Sequence, residues 1–190
     1  PVVISLDGGA SNIPAVAALM HEANPRLIVV GVENTDRSRD MFPDRMPERG
    51  HRGGGGAKFL EFLVDELIPF VDEQYSTDGF RVLPGQSNSG FFVLYALIQA
   101  PEAFNGYLAS SPMIGWDQDM VHDGVEGLFE SRPDIDTALY MNRGEQDYAQ
   151  VTDFLPDFED YLADAAPSGF GWRSDLVRGG GHVPVEAYRT

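Results

Sequence analysis

The chain has no cysteine and few basic residues: 13 Lys and Arg stand against 30 Asp and Glu in 190 residues, a formal net charge of −17. Without cysteine there is no disulfide framework, no thiolate metal site and no cysteine nucleophile. The shortage of positive charge argues against nucleic acid and anionic lipid as partners, because affinity for phosphates needs clustered Lys and Arg. The acidity itself reads as a solubility feature. No apolar run approaches the roughly 20 residues of a membrane span. No basic segment opens the chain, so no signal peptide is expected and localisation stays open between cytoplasm and periplasm. No His/Asp/Glu grouping has metal-ligand spacing. Gly53–Gly56 leads into Ala57-Lys58-Phe59, and a phosphate loop needs Ser or Thr after its Lys. No metal and no cofactor is therefore expected.

What is present is globular. The hydrophobic fraction is 43% and the aromatic fraction 11%. The length suits one domain, able to bury roughly two-thirds of the surface its unfolded form exposes. Continuous apolar runs at Val2–Leu6 and Leu27–Val32 read as strands, and Phe80–Leu83, Gly106–Ser110, Thr137–Asn142 and Gly171–Val177 read as four more. Helical spacing marks Pro14–Ala23, Lys58–Tyr75, Phe91–Ala100, Val121–Glu130 and Thr152–Ala166, with a kink expected at Pro69. The segment 34–57, rich in Arg, Asp, Pro and Gly, reads as a long loop, of a kind that is usually functional or mobile. Strands that are apolar throughout and alternate with helices predict an α/β fold, a mostly parallel sheet with helices on both faces.

In such a sheet, sites lie at the carboxyl ends of the strands. Gly85-Gln86-Ser87-Asn88-Ser89-Gly90 follows a strand directly and opens an apolar helix. A nucleophile on a sharp strand-to-helix elbow needs small residues two positions to either side. Ser87 has Gly85 and Ser89 there; Ser89 would have the bulky Phe91, so Ser87 is the candidate nucleophile. A serine hydroxyl needs a base. Of His21, His51, His122 and His182, only His182 follows the last strand, in the chain order serine, acid, histidine. The acid should follow the fifth strand, where Asp147 is favoured over Glu145, with Asp153 a further candidate. The N–H groups of Asn88 and Gly9 are the candidate oxyanion donors. Arg37, Arg39, Arg45, Arg49 and Arg52 concentrate positive charge in the long loop. They suit an anionic group of a substrate or surplus acids elsewhere in the chain. Arg37 is the candidate substrate contact there, and Trp116 a candidate pocket wall.

The segments "VVISLDGG", "VGVENTDRSRDMFP", "GGGGAKFLEFLVDELIPFVDEQY", "RVLPGQSNSGFFVLYALIQAPEAFNGYLASSP" and "GGGHVPVEAY" resemble one esterase family of α/β-hydrolases. That family includes the enterobactin and salmochelin esterases, esterase D, feruloyl esterases and mycolyltransferases. The resemblance implies an α/β-hydrolase fold and a serine nucleophile at Ser87, where the family's elbow usually reads Gly-His-Ser-x-Gly-Gly. Gln86 and Ser89 depart from that pattern. It also implies the histidine at His182, the oxyanion turn at Asp7-Gly8 with Gly9, and the acid shortly after Gly144. Some siderophore esterases manage with a Ser–His pair alone. Against the family the chain lacks a sheet hairpin before Val2 and helix after the His182 segment. Residues 1–190 are thus expected to form a single domain truncated at both ends. The expected activity is hydrolysis of a small-molecule carboxylic ester through an acyl-enzyme. An acyltransferase on the same site and an inactive hydrolase-like binding protein are the alternatives. Oligomeric state is not legible in the sequence.

Overall fold

Residues that are apolar on both sides of a strand can only be satisfied inside a covered sheet, and the apolar runs are strands here. The computed structural model describes residues 1–7, 26–33, 36–45 and 53–182, in two units, Pro1–Pro84 and Gly85–Thr190. In the first unit β1 (Val2–Ser5) lies between β2 (Ile28–Gly31) and the start of β3 (Arg81–Gln86, the last two residues of which belong to the second unit), parallel to both. Val3 faces Val29 on one side and Val82 on the other. The helix expected over 14–23 lies outside the described residues. The expected loop contains one helical turn, α1 (Arg37–Asp40), capped by the Asp36 carboxylate, which accepts from the Arg39 N–H at 3.2 Å.

The helix expected over Lys58–Tyr75 runs as α2 (Gly56–Glu61), a π-helical stretch Phe62–Leu67 and α3 (Ile68–Gln74). Pro69 explains the change. It has no N–H to donate, and its ring would strike the carbonyl four residues back. The expected kink is taken up by widening the preceding turn, where the Ile68 N–H reaches the Leu63 carbonyl. The wider turn also moves the buried stripe on by one residue. Leu60, Leu63 and Val71 are buried, whereas Phe70, expected on the apolar face, is 57% exposed.

In the second unit β5 (Thr137–Gly144) lies between β4 (Gly106–Ser110) and β6 (Phe170–Val177), again parallel to both. α4 (Asn88–Gln99) is apolar all round and buried, with Phe91, Phe92, Val93, Leu94 and Leu97 inaccessible. α5 (Gln118–Ser131) starts at an Asp117 cap and buries Val121, Val125, Leu128 and Phe129, one helical stripe. The helix expected over Thr152–Ala166 is broken into α6 (Ala149–Thr152) and α7 (Leu155–Ala165), because Pro156 is tolerated only in a first turn. Parallel pairing puts the carboxyl ends of β4, β5 and β6 on one edge, and each runs into a loop there. Among the described residues no helix is long and apolar enough to cross a membrane.

Candidate active site

Ser87 links β3 to α4 at φ 63° and ψ −121°, a conformation that L-residues rarely adopt. Holding it costs about 1–3 kcal/mol, which the surroundings must supply. They do so through three main-chain bonds. The Ser87 N–H donates to the Ser110 carbonyl at 2.9 Å, and the Ser87 carbonyl accepts from Phe91 at 3.0 Å and Met113 at 3.3 Å. The need for small neighbours has a direct cause. A Cβ on Gly85 would lie 2.4 Å from the Ser89 carbonyl oxygen, so the fold-back is open to glycine alone at that position. Ser89 itself is fully buried.

The Ser87 hydroxyl meets His182 Nε2 at 2.8 Å. His182 Nδ1 meets Asp147 Oδ1 at 2.5 Å. The His182 side chain is 16% exposed and that of Asp147 inaccessible. Both Asp147 oxygens are occupied. Oδ1 also accepts from the Tyr148 N–H at 2.8 Å, and Oδ2 from the Ser111 hydroxyl at 2.6 Å and the Gly144 N–H at 3.2 Å. With Nδ1–H donated to a carboxylate, Nε2 is left to accept from the serine hydroxyl. A buried carboxylate, an imidazole and a strained serine thus stand in line, each held by its neighbours. This arrangement can draw a proton from Ser87 and keep the resulting imidazolium beside a fixed negative charge.

The other expected residues fall out differently. Glu145 does not reach His182. Its N–H extends the β5–β6 ladder to the Val177 carbonyl at 3.0 Å, and its carboxylate turns to the Gly179 N–H at 2.8 Å. Asp153 accepts from the neighbouring Thr152 hydroxyl at 3.1 Å. Asn88 opens α4, where a first-turn N–H has no acceptor within the helix. Its Oδ1 accepts from the Trp116 indole N–H at 3.2 Å, which sets Trp116 beside the elbow. Arg37 belongs to the first unit, and its Nε donates to Asp7 at 2.8 Å. Arg39 likewise pairs with Asp40, so two of the loop arginines hold acids of their own unit. Gly9, Arg49 and Arg52 lie outside the described residues. His122 packs its ring against Phe158 and Tyr161.

Four contributors escaped the sequence reading. Ser111, buried and at φ 44°, aims its hydroxyl at Asp147. Gln86 donates from its side-chain amide to the His182 carbonyl at 2.9 Å. Tyr148 stacks its ring on His182, with centroids 4.2 Å apart. Gly144 gives its N–H to Asp147 and has Gly180 and Gly181 pressed against its α-carbon. Only Ser111 had a usable signal, a Ser-Ser-Pro run at the carboxyl end of β4, where sites collect.

Residues 1–152 match the family described as "Putative esterase". The chain belongs to this family. It is 34% identical over 155 residues to the ferri-bacillibactin esterase BesA of Bacillus subtilis, covering 78% of this chain and 54% of BesA. It is 31% identical over 141 residues to a siderophore enterobactin esterase of Emericella nidulans, covering 60% of this chain and 46% of that protein. The chain thus spans about half the length of the curated relatives it matches. An IroE-like serine hydrolase from Shewanella oneidensis superposes with a TM-score of 0.82 at 25% identity, covering 97% of this chain and 66% of that one. The fold is therefore that of the α/β-hydrolases, as the resemblance implied.

Proposed function

We propose that the chain is a serine hydrolase that cleaves carboxylic esters through an acyl-enzyme. Ser87 Oγ attacks the acyl carbon while His182 Nε2 takes its proton. The N–H of Asn88, next after the nucleophile, donates to the oxyanion of the tetrahedral intermediate. His182 then returns the proton to the departing alcohol, leaving Ser87 acylated. Water, deprotonated by the same imidazole, attacks the acyl group, and collapse frees the acid and restores Ser87. Asp147 keeps Nδ1 protonated and faces the imidazolium throughout. The observation that carries this reading is the continuous chain Ser87–His182–Asp147, with contacts of 2.8 and 2.5 Å. A binding-only protein has no need to hold a serine in strain against a histidine.

The substrate class proposed is a siderophore-type ester. Its support is the kinship with esterases named for ferri-bacillibactin and enterobactin. Incubation with a fluorophosphonate followed by intact-mass measurement tests the nucleophile. One phosphonyl adduct per wild-type chain is expected, and none on a folded Ser87→Ala variant. An adduct that persists in that variant, or no adduct on folded wild type, overturns the assignment.

A further inference from the structure

Tyr148 follows Asp147 directly and touches two members of the triad in two different ways. Its main-chain N–H donates to Asp147 Oδ1 at 2.8 Å. Its ring lies on the His182 imidazole, centroids 4.2 Å apart and planes 29° from parallel. Yet the residue is 57% exposed, so its position is not explained by burial in a core. Gln86 holds the His182 main chain, Asp147 holds Nδ1 and Ser87 meets Nε2. Among the described residues, Tyr148 is the one seen against the flat face of the ring.

We infer that Tyr148 is a positioning residue for His182, its ring holding the imidazole plane in line with Ser87 and favouring the imidazolium that forms when Ser87 gives up its proton. This rests on the proposed hydrolytic role of Ser87, His182 and Asp147. The physical basis is the aromatic quadrupole, negative on its face, which attracts a cation within about 6 Å of the ring centroid far more than it attracts the neutral group. His182 is neutral before attack and cationic in the transition state. A stack of this kind therefore acts on the transition state more than on substrate binding, and appears in kcat rather than KM. Among the described residues, the groups seen facing the imidazole are Asp147, Ser87 and the Tyr148 ring, with Glu145 turned away to Gly179.

Side-chain replacement separates the two contacts, because any residue but proline keeps the N–H bond to Asp147. Tyr148→Phe, which preserves the ring, should keep kcat within about twofold and leave the pH profile in place. Tyr148→Leu should lower kcat by roughly 3- to 30-fold with KM little changed, the span of cation–π attraction from exposed to desolvated sites. The acid limb of its kcat/KM profile should move to lower pH, since the charged imidazole has lost a partner. A role in packing alone would lower stability or activity without moving that limb. The inference is overturned if Leu matches wild type in kcat and in the position of the limb, or if Phe loses as much as Leu. Failure of the triad reading looks different: wild-type protein would take up no fluorophosphonate on Ser87 and show no turnover, and the inference would fall with it.

Discussion

Replacing Asp147 by Asn is the sharpest test of the triad, because it keeps the shape of the side chain and changes only its charge and half of its hydrogen-bonding capacity. The Asn amide has two ways to sit. With its NH2 in place of Oδ2 it would face the buried Gly144 N–H, donor against donor, while the Ser111 hydroxyl turns to accept. Leaving that N–H unpaired costs about 1–3 kcal/mol. With its NH2 in place of Oδ1 it would face the Tyr148 N–H, which lies at an exposed position and can turn to water, and His182 Nδ1. The cost is then nearer 1 kcal/mol, one ordinary hydrogen bond. The second orientation wins, and it forces the imidazole to accept at Nδ1 and carry its proton on Nε2. In that tautomer His182 cannot take the Ser87 proton. Molecules in the first orientation still lack the carboxylate beside the imidazolium, worth about 4 kcal/mol at 4 Å and an effective dielectric near 20, or close to 10³-fold. Together these give a fall in kcat of about 10³- to 10⁴-fold, in line with wrong-tautomer triads in general. Hydrolysis of an activated aryl ester measures it, and thermal denaturation checks that the variant is folded. Activity within tenfold of wild type in a folded Asp147→Asn protein would refute the reasoning and leave a Ser–His pair working without its acid.

Two other variants probe how His182 is held. A Cβ at Gly144 would stand 2.2 Å from the Gly181 carbonyl oxygen and 2.4 Å from that of Gly180, so Gly144→Ala must push back the loop that carries His182. A displacement near 1 Å costs about 10²-fold in rate; wild-type turnover from Gly144→Ala would show that the loop is not the reference frame for the base. Gln86→Ala removes one amide-to-carbonyl bond, about 1 kcal/mol or roughly fivefold in kcat. Gln86→Glu turns a carboxylate oxygen on the His182 carbonyl and should lose more than the alanine; equal activity of Glu and Gln at this position would dismiss the bond as incidental.

Much of the fold was legible because its causes are local. Runs such as Val2–Ser5 and Gly106–Ser110 are apolar on both faces, and only a covered sheet can take them. The α/β class followed from their alternation with helices. Boundaries shifted where one residue imposed its own geometry. Pro156 split a helix in two, and Pro69 turned an expected kink into a π-helical stretch that rotated Phe70 outward. Neither consequence is visible in hydrophobic spacing, which assumes a constant turn.

At the site the division is similar. Ser87 was reachable from sequence because the elbow is a steric problem among close neighbours, with Gly85 against Ser89. Choosing between Asp147 and Glu145 was not. They stand two residues apart after the same strand, and the choice turns on which carboxylate faces a histidine 35 residues further on. Ser111, Gln86 and Tyr148 likewise meet their partners 36, 96 and 34 residues away in the chain (147 − 111, 182 − 86 and 182 − 148). Strand content and the elbow that carries the candidate nucleophile were legible in the chain, because each depends on a few adjacent side chains. Which carboxylate meets His182, and which groups surround that imidazole, depends on tertiary contacts, because parallel pairing of β4, β5 and β6 is what delivers three separate loops to one edge.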